Sequence, residues 1–328
     1  MKVFLTGATG YVGAHLVNRL IEEGHHLHLL IRSPEKNPQL NSNHITVFEG
    51  DILQKEAIKK AMIGCDQIYH LAACTSIWLE NEEEYFDINV SGTNNILDIA
   101  YEIGIKKTVI TSTAGVYGPS IDGIVDENTK REITYFNNYE KSKAISEEYI
   151  KQYIVEKNMD IVIVNPTRIY GPFLKGDSFS FTLLIEKYVS GNWKFIPGNG
   201  EKIGNYIFID DVIEGHIQAM NVGKKGESYL LAGVNCTYNE FFNQLKETSN
   251  KDYKLFYTPI WVQLIYGYIQ LFKAIVFKTN PSVVPKWIRR GNYNWEVSSK
   301  KMNKDLNVKT TSLETGIKKT IHWLVQKK

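Results

Sequence analysis

Short apolar runs and longer stretches with apolar residues at helical spacing alternate through the first half of the chain. Val3, Phe4 and Leu5 form a short run, and Leu16, Val17, Leu20 and Ile21 then recur at helical spacing. Residues 26–31, 45–48, 67–70, 107–110 and 160–164 read as further short strands. Between them, residues 54–62, 82–103 and 136–156 read as helices. Strands and helices alternating at this rhythm predict an α/β fold, with a parallel sheet covered by helices on both faces. The rhythm breaks at Tyr170, beyond which glycine, proline and aromatic residues become frequent. A strand is expected at 205–209, with Asp210 and Asp211 capping a helix over 212–220. Another short strand is expected at 228–231, followed by a mainly helical remainder from residue 237.

Between the first strand and the first helix stand three evenly spaced glycines, Gly7, Gly10 and Gly13. A strand–turn–helix of this kind aims backbone N–H groups and a helix N-terminus at a negative group, which suits a pyrophosphate. Gly7 is expected to allow the tight turn, Gly10 the approach of phosphates and Gly13 the packing of helix on strand. Thr9, Tyr11 and Val12 fall within the same turn. In such a sheet, ligands sit beyond the carboxyl ends of the strands. Arg32, Asp51-Ile52, Leu71-Ala72-Ala73, Thr111 and Thr113 all fall at such ends, as do Pro166, Thr167 and Ile169. We assign all of these but Thr113, together with the glycine turn, Tyr139 and Lys143, to a dinucleotide site. An acidic residue after the second strand selects the ribose 2′-hydroxyl of NAD, whereas an arginine accommodates the 2′-phosphate of NADP. Arg32, with Lys36 close behind, therefore favours NADP, with NAD as the alternative.

Tyr139 and Lys143 are four residues apart, so both side chains lie on one helix face. A phenol with a pKa near 10 is a poor acid–base catalyst at neutral pH, and a nearby ammonium is expected to lower it. A hydroxyl from Thr113 could orient the carbonyl that the phenol protonates. The candidate catalytic set is Thr113, Tyr139 and Lys143.

Composition changes this picture little. A net charge of +2 gives no reason to expect nucleic acid or an anionic surface as partner. Cys65, Cys74 and Cys236 are odd in number and lack metal-ligand spacing, which fits a reducing, cytoplasmic compartment and no metal site. The first apolar run is too short for a signal peptide. Residues 261–277 are unusually apolar but too short to span a bilayer, and contain Gln263, Gln270 and Lys273. The expectation is no transmembrane segment and a buried or pocket-covering helix, with contact at a membrane surface as the alternative.

Taken together, Gly7-x-x-Gly10-x-x-Gly13, Asp51-Ile52, Leu71-Ala72-Ala73, Asn89-x-x-Gly92-Thr93-Asn94, Thr113, Tyr139-x-x-x-Lys143 and Phe208-Ile209-Asp210-Asp211-Val212 resemble the extended short-chain dehydrogenase/reductase family over nearly the whole length. This group is also called the NAD-dependent epimerase/dehydratase superfamily. Asn165-Pro166-Thr167 and Gly171-Pro172-Phe173 look most like its dihydroflavonol-reductase-like members. The resemblance implies a Rossmann-type doubly wound sheet of about seven strands, with a smaller, mainly helical C-terminal substrate part. It divides the chain into 1–170 plus 205–233 for the dinucleotide and 171–204 plus 234–328 for the substrate. It also implies the Thr113, Tyr139, Lys143 catalytic set and a possible homodimer through the helices at 82–103 and 136–156. The leading expectation is an NADP-dependent reductase of a small, apolar or aromatic carbonyl compound. The alternatives are a nucleotide-sugar epimerase and a non-catalytic dinucleotide sensor.

Overall fold

The computed structural model describes residues 1–37, 40, 42–172 and 181–326. Phe173, the last residue of the Gly171-Pro172-Phe173 motif, lies outside them. The nucleotide half runs β1 (Lys2–Thr6), α1 (Tyr11–Glu22), β2 (His26–Ile31), β3 (Ile45–Glu49), α2 (Lys55–Met62) and β4 (Gln67–His70). It continues with α3 (Glu84–Phe86), a π-helical turn (Asp87–Ser91), α4 (Gly92–Ile103), β5 (Lys107–Thr111), α5 (Asn138–Glu156) and β6 (Ile161–Pro166). After β7 (Arg168–Tyr170) come α6 (Phe181–Val189), β8 (Phe195–Pro197), β9 (Ile203–Phe208), α7 (Ile209–Asn221) and β10 (Ser228–Leu231). The remainder is β11 (Val234–Thr237), α8 (Tyr238–Ser249), β12 (Phe256–Thr258), α9 (Ile260–Phe277), α10 (Pro285–Gly291), α11 (Lys300–Asp305) and α12 (Leu313–Gln326).

Seven strands form one parallel sheet in the order β10-β6-β5-β4-β1-β2-β3. Its fold is the expected Rossmann-type α/β sheet. The order reverses between β1 and β4, and the ends of these two strands flank the crevice where such folds take ligands. The central strands are apolar on both faces because helices cover both: Val3, Phe4, Leu5, Ile68, Val109, Ile110 and Val162 are all buried. β9 joins β7 and β11 in a separate three-stranded sheet, and β8 pairs with β12. One apolar cluster runs from Val3 and Leu5 through Val212 into Tyr206, Phe241 and Ile317, so the two sheets share a core.

Two local expectations need correction. Asp210 and Asp211 do not cap their helix. α7 begins at Ile209, and both carboxylates lie in its first turn. There Asp211 instead accepts bonds from the Thr311 N–H at 2.7 Å and the Thr311 hydroxyl at 2.6 Å, tying down the start of α12. The helix at 260–277 is also not buried. Of its residues only Gly267 and Ala274 are buried, and Trp261 and Phe272 are each 63% exposed. By length and composition alone α9 is the one described helix that could cross a membrane.

Candidate active site

The phosphate turn is built by contacts that exclude side chains. Gly7 has φ +79°, and a Cβ there would lie 2.7 Å from the Ala72 nitrogen on the neighbouring strand end. A Cβ on Gly13 would lie 2.1 Å from the Gly7 carbonyl oxygen, so α1 sits directly on the turn. Gly10 differs: a Cβ there would meet only the Gly7 oxygen, at 3.3 Å. It is the N-cap of α1, with no side chain capping the free N–H groups and no acidic residue in the first turn. The turn thus leaves room and uncompensated positive dipole for a pyrophosphate, which is the fit a dinucleotide requires. Thr9 and Val12 lie in this turn, whereas Tyr11 is buried in the core, its ring edge-on to His15.

The other strand ends meet around this turn. The Arg32 guanidinium is 75% exposed and stands 4.0 Å from the Asp51 carboxylate, with Lys36 on the following 3-10 turn. Asp51 holds its own loop by accepting from the Leu53 N–H at 2.9 Å. Ile52 lies against Gly92, where a Cβ would come 2.5 Å from its Cδ1. The Leu71 N–H donates to the Thr6 carbonyl, and the Ala72 N–H to the Thr6 hydroxyl at 3.2 Å, with Ala73 next in the same loop. Pro166 ends β6, Ile169 lies in β7, and the Thr167 hydroxyl between them donates to Asn205 at 2.7 Å.

A buried relay lies beneath these ends. The Thr6 hydroxyl donates to His70 Nδ1 at 2.7 Å, and His70 Nε2–H donates to Thr93 at 3.0 Å. Thr93 in turn donates to the Asn89 carbonyl at 2.8 Å. Since Thr93 gives its one proton to the Asn89 carbonyl, it must accept from His70 Nε2–H, which fixes that tautomer and leaves Nδ1 to accept from Thr6. Burial, with Lys143 nearby, pushes the His70 pKa down to about 3, so the ring is neutral at physiological pH. The π-helical turn rotates Asn89 inward. Its side chain accepts from the Cys74 N–H at 2.7 Å and donates to Ser142 at 2.9 Å, and Ser142 donates to the Tyr139 carbonyl at 2.9 Å. The polar residues inside the 82–103 helical pattern therefore join the β4 loop to α5.

On α5, Asn137 caps the helix by accepting from the Glu140 N–H at 2.9 Å, which sets the position of Tyr139 on the first turn. Thr113 accepts from the Gly115 N–H at 3.1 Å, and its hydroxyl is near enough to the Tyr139 phenol to lower the phenol's pKa. That acceptor role leaves the Thr113 proton free. Lys143 is fully buried and donates to the Thr111 carbonyl at 2.7 Å. The Thr111 hydroxyl points elsewhere, to His216 Nε2 at 2.8 Å. The three proposed catalytic side chains thus gather at the end of β5.

Their electrostatics correct one expectation. Burial raises the Tyr139 pKa to about 12; the nearby Thr113 hydroxyl and then Arg290 lower it, without reversing the rise. Lys143 is not among the leading influences on it. Burial instead drops Lys143 itself to about 8, opposed by the Glu147 carboxylate one turn along the helix. Desolvation of both groups outweighs the attraction of the ammonium for a phenolate.

A model of the NAD dependent epimerase/dehydratase family matches residues 3–232. The chain belongs to that family. It is 28% identical over 98% of both chains to the protein named sterol demethylase protein B from Methylococcus capsulatus. It is 26% identical to a protein from Synechocystis sp. with a provisional dihydroflavonol 4-reductase name, covering 98% of this chain and 93% of the relative. A solved structure of UDP-glucose 4-epimerase from Thermotoga maritima with UDP-glucose superposes with a TM-score of 0.81 at 21% identity, covering 100% of this chain and 99% of that one, and shows the shared fold. As a member of this family the protein is an NAD(P)-dependent enzyme of the extended short-chain dehydrogenase/reductase type, using a nicotinamide dinucleotide and acting on small molecules.

Sequence reading missed several groups that hold this family member's site together. Glu140 is buried and pairs with Arg131 at 2.9 Å and with Arg290 at 2.6 Å. Arg290 comes from α10, 150 residues away, and stacks 3.8 Å over the Trp295 ring. Nothing in local spacing marks that partnership. Thr6 and His70 had a visible signal, as the only polar side chains at the inner ends of two apolar strands.

Proposed function

We propose that the protein is an NADP-dependent carbonyl reductase whose substrate is a small apolar or aromatic molecule. The observation that carries the reading is the gathering of Thr113, Tyr139 and buried Lys143 at the strand ends that flank the glycine turn, with Lys143 held by the Thr111 carbonyl. The cofactor, when bound, supplies the hydride. The Gly7–Gly13 turn with Thr9 and Val12 would hold its pyrophosphate, Arg32 and Lys36 its 2′-phosphate, Asp51 and Ile52 its adenine, and Lys143 its nicotinamide ribose. Tyr139 gives its proton to the substrate oxygen. With a pKa of about 12 it stays protonated throughout the neutral range. Thr113 orients that oxygen, Lys143 is fixed by the Thr111 carbonyl, and Arg290 favours the charge left on the phenol.

The relative named for sterol demethylation supports a lipophilic substrate, as does the aromatic content of the C-terminal part. An epimerase would use the same residues, and the epimerase structure shares only the fold. A dinucleotide sensor would not need Tyr139 or Lys143. The free cysteines Cys65, Cys74 and Cys236 support a cytoplasmic location. Exposed Tyr101 on α4 and Tyr149 and Val155 on α5 support a homodimer through these helices.

The test is cofactor oxidation with a panel of hydroxysteroid-type ketones and aromatic carbonyl compounds. NADPH should be consumed faster than NADH. Tyr139→Phe should retain cofactor binding while kcat falls by about 10²–10⁴-fold, the usual contribution of a placed general acid. Unchanged turnover in Tyr139→Phe would overturn the proton assignment. Inversion of a nucleotide sugar without net cofactor oxidation would replace the reductase with the epimerase.

A further inference from the structure

α9 is turned inside out relative to an ordinary surface helix. Gln263, Gly267, Gln270 and Ala274 recur at spacings of four and three, and so share one face. Gly267 and Ala274 are its two buried residues. The close approach of α10 requires this small-residue stripe: a Cβ on Gly267 would lie 2.6 Å from Ile288 Cδ1 and 3.3 Å from the Pro285 nitrogen. Gln263 on the same face donates to the Thr258 carbonyl at 2.7 Å. The small and polar residues thus face the protein.

The opposite face carries Trp261, Ile265, Ile269, Phe272, Ile275 and Val276, all exposed. A surface helix normally buries such a stripe and presents its polar face to water. At 1.5 Å per residue, 18 residues make an apolar ridge about 27 Å long, and a continuous exposed patch of that kind marks a binding surface.

Charge and composition indicate the occupant. From Leu255 to Gly291 the chain has five cations and no acidic residue, although the whole chain is nearly neutral. Lys278 pairs with Glu80, Lys286 with Glu82 and Arg290 with Glu140. Among the described residues, Lys273 and Arg289 have no carboxylate partner, and Arg289 donates to the Tyr268 hydroxyl at 2.9 Å. An apolar ridge with tryptophan, tyrosines and a cationic rim has the chemistry of a helix lying in a bilayer interface. Glu80 and Glu82 already occupy Lys278 and Lys286, so Lys273 and Arg289 are the cations this face holds ready for headgroups.

We infer that α9 docks the protein on the surface of a lipid bilayer, lying along the interface with its Trp261–Ile265–Phe272 face in the acyl boundary and Lys273 and Arg289 at anionic headgroups. This rests on the exposed helix and is independent of the catalytic reading.

The test is flotation of the full chain with vesicles of phosphatidylcholine, with and without 30% phosphatidylglycerol. The protein should float with the anionic vesicles and more weakly with the neutral ones, and sodium carbonate at pH 11 should release it. Ile269→Glu with Phe272→Glu should reduce the vesicle-bound fraction at least tenfold. Both side chains are exposed, so the circular dichroism spectrum and melting temperature should be retained. Lys273→Glu alone should weaken binding to anionic vesicles only. Failure to float with either vesicle, or flotation unaffected by the double substitution, would overturn the inference. So would resistance to carbonate, which would mean a spanning segment, or a double variant that changes only the oligomeric mass measured by light scattering, which would mean a second copy covers the ridge.

Discussion

At the residue scale, the site depends on where single groups are prevented from satisfying themselves elsewhere. Lys143 has one fixed acceptor, the Thr111 carbonyl, and the Thr111 hydroxyl is taken by His216. Thr113 accepts from Gly115, which leaves its proton free beside Tyr139. Arg32 is different: it is exposed, and Asp51 at 4.0 Å holds it only loosely. A loosely held guanidinium is free to take a phosphate as its main partner. Arg32→Asp should therefore weaken NADPH binding about 30-fold or more, the loss of a charge-assisted hydrogen bond of about 2 kcal/mol. NADH binding should be unchanged or improve. Calorimetric titration with both cofactors checks this, and equal losses for both would remove Arg32 from the selection of cofactor.

At the scale of elements, the π-helical turn before α4 is the piece with the most connections. An α-helical register would turn Asn89 away from the β4 loop, and the extra residue per turn brings it inward. There it binds both the N–H and the carbonyl of Cys74 and reaches Ser142 on α5. Asn89→Leu is close in size but leaves two backbone groups of the β4 loop without partners. A cost of about 3 kcal/mol in urea unfolding is expected. The loop carrying Leu71, Ala72 and Ala73 should loosen with it, so affinity for the cofactor should fall as well. Full stability with normal affinity would show that the turn is incidental.

At the scale of the whole molecule, two buried histidines sit within the hydrogen-bonded framework. His70 is held between Thr6 and Thr93, and His216 between Thr111 and the Val212 carbonyl. Burial is the main cause that lowers their pKa values, to about 3 and about 4. Unfolding returns both to about 6.5, so below that pH the unfolded chain binds more protons than the folded one. Stability is then full above pH 6.5 and falls as the pH drops toward 4, by on the order of 3 kcal/mol for each ring. Urea midpoints measured from pH 7.5 to 4.5 should decline, and His216→Gln should flatten the slope. Lys143 acts at the other end. Its folded pKa of about 8 lies below its ordinary value, so its burial opposes folding below pH 8, and this cost is relieved as the pH rises toward 10.5.

The alternation of apolar runs by itself determined the parallel sheet, and the glycines between β1 and α1 determined the turn, because both depend on short-range periodicity and on backbone freedom at one position. The i,i+4 spacing likewise put Tyr139 and Lys143 on one face of α5. What the sequence could not determine depends on burial and on long-range partners. Whether the ammonium or desolvation governs the Tyr139 phenol is set by what encloses it, and the structure encloses it enough to raise its pKa. Glu140 carries no sign in the sequence that an arginine 150 residues away will reach it. The direction in which α9 faces was open too, since a helix apolar on most of its surface has no preferred inner side until its neighbour is known. Tertiary structure decided it, because only the Gly267 stripe lets α10 approach, and that contact leaves the bulky face outward.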